Sequence, residues 1–234
     1  MFYQRLSEYY DEVFPLHEQT RAFLKKHLSG MNCADAACGT GTVALALAEL
    51  GFSCTAADME PAMIRQARSK DGGGTVEFLV DDMRNIRRWG TFDAVICLGN
   101  SLSHLPSFEE VAGFVREVYA ALVFGGTAVF QIVNYDRVMA AGVDGLQLPT
   151  LGNEKVQLQR RYVPEGRNSV RFHSKLVVSN RSFDDVIALQ PILHGELRAM
   201  LEQAGFSVEF FGSYAEAAYD PDTSASLIAK ASAG

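Results

Sequence analysis

The stretch Asp35-Ala36-Ala37-Cys38-Gly39-Thr40-Gly41 holds the densest chemical signal in the sequence. Glycines so spaced let the backbone come close to a ligand, and the helix that follows offers free N–H groups at its first turn. Asp58 ends the next apolar stretch, where a carboxylate can accept both hydroxyls of a ribose. Asp81-Asp82-Met83 ends a third. A carboxylate there can accept from an exocyclic amine, and the Met83 N–H can serve a ring nitrogen.

Strands must carry these groups. Cys33–Ala37, Ser53–Ala57, Val76–Val80, Phe92–Leu98 and Thr127–Val133 read as strands, the fourth being the near-continuous apolar kind buried on both faces of a parallel sheet. Helices over 16–28, 42–50, from Pro61 to the glycines at 72–74, and over 107–122 alternate with them; Pro61 stands in a first turn, where a missing N–H costs nothing. This rhythm predicts a doubly wound α/β fold with right-handed crossovers and ligands at the carboxyl ends of the strands. Residues 155–163, 169–179 and 183–190 alternate like antiparallel strands instead, joined by Pro164-Glu165-Gly166 and Asn180-Arg181-Ser182. A helix at 194–204 and strands at 206–211 and 226–231 follow.

Composition narrows the partners. With 234 residues and 48% hydrophobic content the chain suits one domain with a sizeable core. Lys+Arg 21 against Asp+Glu 28 leaves a net charge of −7, so no basic field exists to attract nucleic acid or an anionic membrane. The four cysteines form no Cys-x-x-Cys pair and suit reduced thiols. The start MFYQRLSEYYDEVF lacks a basic segment followed by an apolar one, and no apolar run approaches the roughly 18 residues of a spanning helix. A cytoplasmic protein with a small-molecule substrate is expected, and a homo-oligomer stays open.

Gly39-x-Gly41-x-x-Ala44 also satisfies the dinucleotide fingerprint, which keeps an NAD(P)-dependent oxidoreductase as an alternative. Taken with Asp58, Asp82, Gly125-Gly126 and the helix–strand–strand tail, however, residues 30–136 resemble a class I S-adenosylmethionine-dependent methyltransferase. The resemblance implies a mostly parallel seven-stranded Rossmann-like sheet formed by 1–149 and 191–234, with 150–190 as a small antiparallel β insert covering the acceptor site. It also implies S-adenosyl-L-methionine as cofactor: Ala37 and Gly39 at its methionine moiety, Asp58 at the ribose, Met59 packed on the adenine, and Asp82 with Met83 at the adenine edge. The family usually has glycine where Ala37 stands.

Phe92–Pro106 and Asn134-Tyr135-Asp136 are further similar to glycine and sarcosine N-methyltransferases. By that similarity Leu98 and His104 touch the cofactor, while Gly99 and Asn100 face the acceptor. Those enzymes grip an amino-acid carboxylate with an arginine immediately before Asn-Tyr-Asp, where this chain has Val133; Arg160, Arg161 or Arg171 are the available substitutes. An amine acceptor needs only to be deprotonated. A hydroxyl or carbon acceptor wants a base, for which His104 is nearest and His173 second.

Each of these residues also has a plain structural alternative. Asp58 can simply end a strand, Asp81 can cap the next turn, and Asn100 and Ser101 can be turn residues. Tyr9 and Tyr10 either close the site as an N-terminal lid or pack on the core. A cofactor-binding regulatory protein without turnover is the non-enzymatic alternative.

Overall fold

A computed structural model describes residues 2–234. Two short helices, α1 (Phe2–Leu6) and α2 (Tyr10–Val13), precede α3 (Glu18–His27). Alternation follows: β1 (Asn32–Ala36), α4 (Thr42–Glu49), β2 (Ser53–Asp58), α5 (Pro61–Lys70), β3 (Val76–Val80), β4 (Phe92–Cys97), α6 (Phe108–Ala121) and β5 (Leu122–Val133). Single 3-10 segments at Met83–Arg88 and Ser101–His104 follow β3 and β4. After α7 (Tyr135–Ala140) come β6 (Leu146–Gly152), β7 (Val156–Pro164), β8 (Val170–Val178) and β9 (Arg181–Leu189), then α8 (His194–Ala204), β10 (Phe206–Phe211) and β11 (Ser226–Ala233).

The large sheet runs β10-β11-β5-β4-β1-β2-β3. Strands β1 to β5 pair in parallel, and β11 is antiparallel to both β5 and β10. Strand order reverses between β1 and β4, so the crevice of a doubly wound sheet opens above their carboxyl ends. Both faces of the centre are buried: Ala34, Ala36, Val95 and Cys97 pack on one side, Cys33, Ala94 and Ile96 on the other. Helix α6 covers the first side with Val111, Phe114, Val115 and Val118, one stripe at helical spacing, and Ser107 caps it by accepting from the Glu110 N–H at 3.2 Å.

The second sheet, ordered β6-β7-β8-β9, is antiparallel. It starts at Leu146 rather than 150 and has a fourth strand, β6, whose pattern is interrupted by Pro149 and by a register shift between Leu148 and Leu151. Its inner side chains, among them Val156, Leu158, Tyr162, Val170 and Phe172, join the same core as β5 and α6. The sheet is therefore a layer on the main domain. It leans on α2 through Asn153, whose amide donates to Glu12 at 2.9 Å, and on the loop after β4 through the Gln190 N–H, 2.8 Å from the Ser103 carbonyl.

Asn134 ties the end of β5 to the loop before β11. It is 1% exposed, and its amide donates to the carbonyls of Asp220 (3.3 Å), Pro221 (2.9 Å) and Ser224 (3.0 Å). Its carbonyl oxygen accepts from the Arg137 N–H and lies 2.7 Å from the Tyr219 hydroxyl. Asn134→Ala orphans several buried groups at once and should cost about 2–3 kcal/mol, a fall of roughly 5–10 °C in Tm by calorimetry; a loss under about 1 kcal/mol contradicts this account.

Candidate active site

The end of β1 sets the site. The chain leaves the strand through Ala37 at φ +69°, then Gly39 at +56° and Gly41 at +74°. Glycine is required at Gly41, because a Cβ there would meet the Phe78 ring at 2.5 Å. Ala37 bears a left-handed conformation that costs a non-glycine residue roughly 1–2 kcal/mol. The Gly39 N–H donates to Asp58 Oδ2 at 2.9 Å, and the Glu60 N–H donates to Oδ1 at 2.9 Å. Asp58 thus joins the end of β2 to the glycine turn while keeping lone pairs for a ligand.

A cleft of about 450 Å³, in the range of small-molecule sites, opens over these strand ends. Ala37, Gly39, Asp58, Met59, Asp82, Met83 and His104 all line it, so seven residues singled out in the sequence come together. Met59 is 73% exposed, an apolar side chain left at the rim of the cleft. Asp82 accepts from Arg84 (2.6 and 3.0 Å), which holds its carboxyl below the usual range. Asp81 is a turn cap: it accepts from Trp89 Nε1 and Asn85 Nδ2, both at 2.7 Å.

Three expected residues are elsewhere. Tyr9, the residue before α2, packs on the core, whereas Tyr10, the first residue of that helix, lines the cleft. Leu98 is partly buried against the core, with its carbonyl taken by the Ser101 hydroxyl at 2.7 Å. Asn100 is buried beneath the cleft and fully used: it donates to the Tyr135 hydroxyl at 3.0 Å and accepts from the Val133 N–H at 3.0 Å and from Ser103 at 3.3 Å. It shapes the loop after β4 and is not among the residues that line the cleft.

Tyr3 and Asp35 carry more than the sequence disclosed. The Tyr3 hydroxyl lies 2.9 Å from His104 Nε2, with the rings edge to face. Burial pushes the Tyr3 phenol up and His104 down to about 4, so the pair is neutral near pH 7. Asp35, on β1, is 3% exposed, and no group among the described residues donates to its carboxylate. Burial first, then the Asp58 charge, push it up to about 8. The N-terminal helices are pinned over the cleft by Asp11, which accepts from Thr40 (2.5 Å), Thr42 (2.7 Å) and Lys70 (2.6 Å).

The donor set fits an adenosyl cofactor carrying positive charge. Carboxylates stand at the β2 and β3 ends, a tight glycine turn lies between them and β4, and a buried acid on β1 is close enough to feel the Asp58 charge. Among the described residues no three His, Cys, Asp or Glu side chains gather as a metal site, and no helix is long and apolar enough to cross a membrane.

Known proteins agree with this geometry. A methyltransferase-domain family matches residues 34–126. A glycine/sarcosine N-methyltransferase of Parasynechococcus marenigrum (strain WH8102) is 31% identical over 214 residues, covering 85% of this chain and 71% of that one. Another, of Aphanothece halophytica, is 28% identical over 232 residues, covering 92% and 84%. The crystal structure of a S-adenosylmethionine-dependent methyltransferase from Clostridium acetobutylicum ATCC 824 matches the whole chain at a TM-score of 0.81 with 16% identity.

Asp35 gives the site a pH signature. Its folded pKa of about 8 lies above the unfolded value of about 3.9, so the unfolded chain ionises first, and stability falls as pH rises from about 4 to 8. Asp35→Asn in the cofactor-free protein should flatten that slope. Its Tm should exceed the parent's by several °C at pH 8, with the gap closing near pH 4; a gap independent of pH would rule the buried acid out as the cause.

Proposed function

The chain belongs to the class I S-adenosylmethionine-dependent methyltransferases, and we propose that it methylates the nitrogen of a small-molecule amine. The observation that carries this reading is the Tyr3 hydroxyl seated 2.9 Å from His104 Nε2 at the β4 end of the cleft. A histidine whose Nε2 is engaged by a phenol, and whose pKa is lowered, is a poor base for a hydroxyl or carbon acid, whereas an amine brings its own electron pair. The curated relatives named as glycine/sarcosine N-methyltransferases point to the same atom.

The bound cofactor supplies a methyl group already activated on a sulfonium. The protein contributes position and enclosure. Asp58 is assigned to the ribose hydroxyls, Met59 to a face of the adenine, and Asp82 with the Met83 N–H to its edge. Ala37 and Gly39 bring backbone against the methionine moiety, and Asp35 opposes the positive charge from below. Tyr3 and Tyr10, held down through Asp11, exclude water from the reacting end. The four-stranded sheet buttresses that end through α2 and the loop after β4 and contributes no lining side chain of its own. The four cysteines are free thiols, which supports a cytoplasmic setting.

Asp58→Ala removes the charged acceptor at the ribose position. Binding of S-adenosylhomocysteine, followed by isothermal titration, should weaken about 10–100-fold while circular dichroism reports a folded protein; unchanged affinity would remove Asp58 from the site.

A further inference from the structure

We propose that the acceptor is a small hydroxylated amine without a carboxylate, because the acceptor end of the cleft offers hydroxyls and an imidazole and, among the described residues, no available guanidinium or ammonium group. This rests on the reading of the cleft as a site of amine methylation. In the order β4-β1-β2-β3, the loop after β4 lies across β1 from Asp58 and Asp82. The acceptor therefore meets Ser101 and His104 from that loop, with Tyr3 and Tyr10 from the N-terminal helices. Their polar atoms are hydroxyls and an imidazole. Desolvation raises both phenols and lowers the imidazole, which favours the uncharged form of each.

Among the described residues the only guanidinium lining the cleft is Arg84, and Asp82 (2.6 Å) and Glu110 (2.8 Å) hold it. None of the arginines of the antiparallel sheet lines the cleft, and three of them have partners elsewhere, although the buried Arg160 Nε is left unpaired among the described residues. Arg160 donates to the Pro149 carbonyl at 3.2 Å, Arg161 donates to the Asp144 carbonyl at 2.5 Å, and Arg171 pairs with Glu165. Meanwhile Asp58, Glu60, Asp81 and Asp82 put four carboxylates on the cleft wall. An acceptor carboxylate would leave water to enter an acidic site without a counter-ion, a costly transfer. A hydroxyl can donate to and accept from the groups present at little cost. This chain would then differ in acceptor from the relatives named for glycine and sarcosine.

Matched pairs that exchange a carboxylate for a hydroxymethyl group test this: glycine with ethanolamine, sarcosine with N-methylethanolamine, and serine with 2-aminopropane-1,3-diol. Formation of S-adenosylhomocysteine from S-adenosylmethionine gives kcat/KM for each. The amino alcohol should exceed its amino acid at least tenfold in every pair. Equal or higher kcat/KM for the amino acids overturns the proposal, and so does turnover of neither member by protein that binds cofactor. Calorimetry of S-adenosylhomocysteine on the same preparation separates the two levels. Absent cofactor binding strikes the assignment of the cleft itself, whereas intact binding with carboxylate preference strikes the acceptor class alone.

Discussion

Two carboxyl groups at the ends of neighbouring parallel strands govern this molecule. Asp58 is held by the N–H groups of Gly39 and Glu60, which fixes the glycine turn of β1 against the end of β2. Asp35, inside the sheet on β1, has no donor among the described residues and feels the Asp58 charge as repulsion. A fold selected for stability alone would place an apolar residue there. The left-handed Ala37 adds backbone strain two residues further on. These costs fall together at the end of β1, beside the cleft, where a bound positive charge would relieve the electrostatic part of them.

The rest of the structure serves that floor at increasing distance. Asp11 reaches from α2 to Thr40, Thr42 and Lys70, so the helices that bring Tyr3 and Tyr10 are fastened to the glycine turn itself. Asn100 braces the loop after β4 from beneath, against Val133 and Tyr135. Asn134 fixes the next residue boundary to the loop before β11. The antiparallel sheet continues the hydrophobic core behind this loop; the edge-to-face contact of Tyr135 with Tyr162, centroids 6.4 Å apart, is one point of that continuity.

Much of this was legible in the sequence for a physical reason. Parallel strands buried on both faces are apolar without alternation, and the residues after their carboxyl ends line the cleft, so the positions of Asp58, Asp82 and Gly39 at its wall follow from pattern alone. Side-chain direction within a short helix could not. Tyr9 and Tyr10 are adjacent and chemically identical, and only the docking of α2 on the glycine turn selects Tyr10 for the cleft. Asn100 has the composition of a polar active-site residue, yet its positive φ and three buried partners make it a brace. β6 escaped because Pro149 and a bulge break its period. Asp35 was read as part of a motif, since the missing partner of a buried acid is a three-dimensional fact.

The account turns on a buried acid that stays protonated until positive charge arrives. Titration of S-adenosylmethionine into the protein at pH 7, in buffers of different ionisation enthalpy, counts the protons exchanged on binding. Asp35 held at about 8 predicts release of about one proton per cofactor bound, abolished in Asp35→Asn. Binding heats that do not change from buffer to buffer would contradict it.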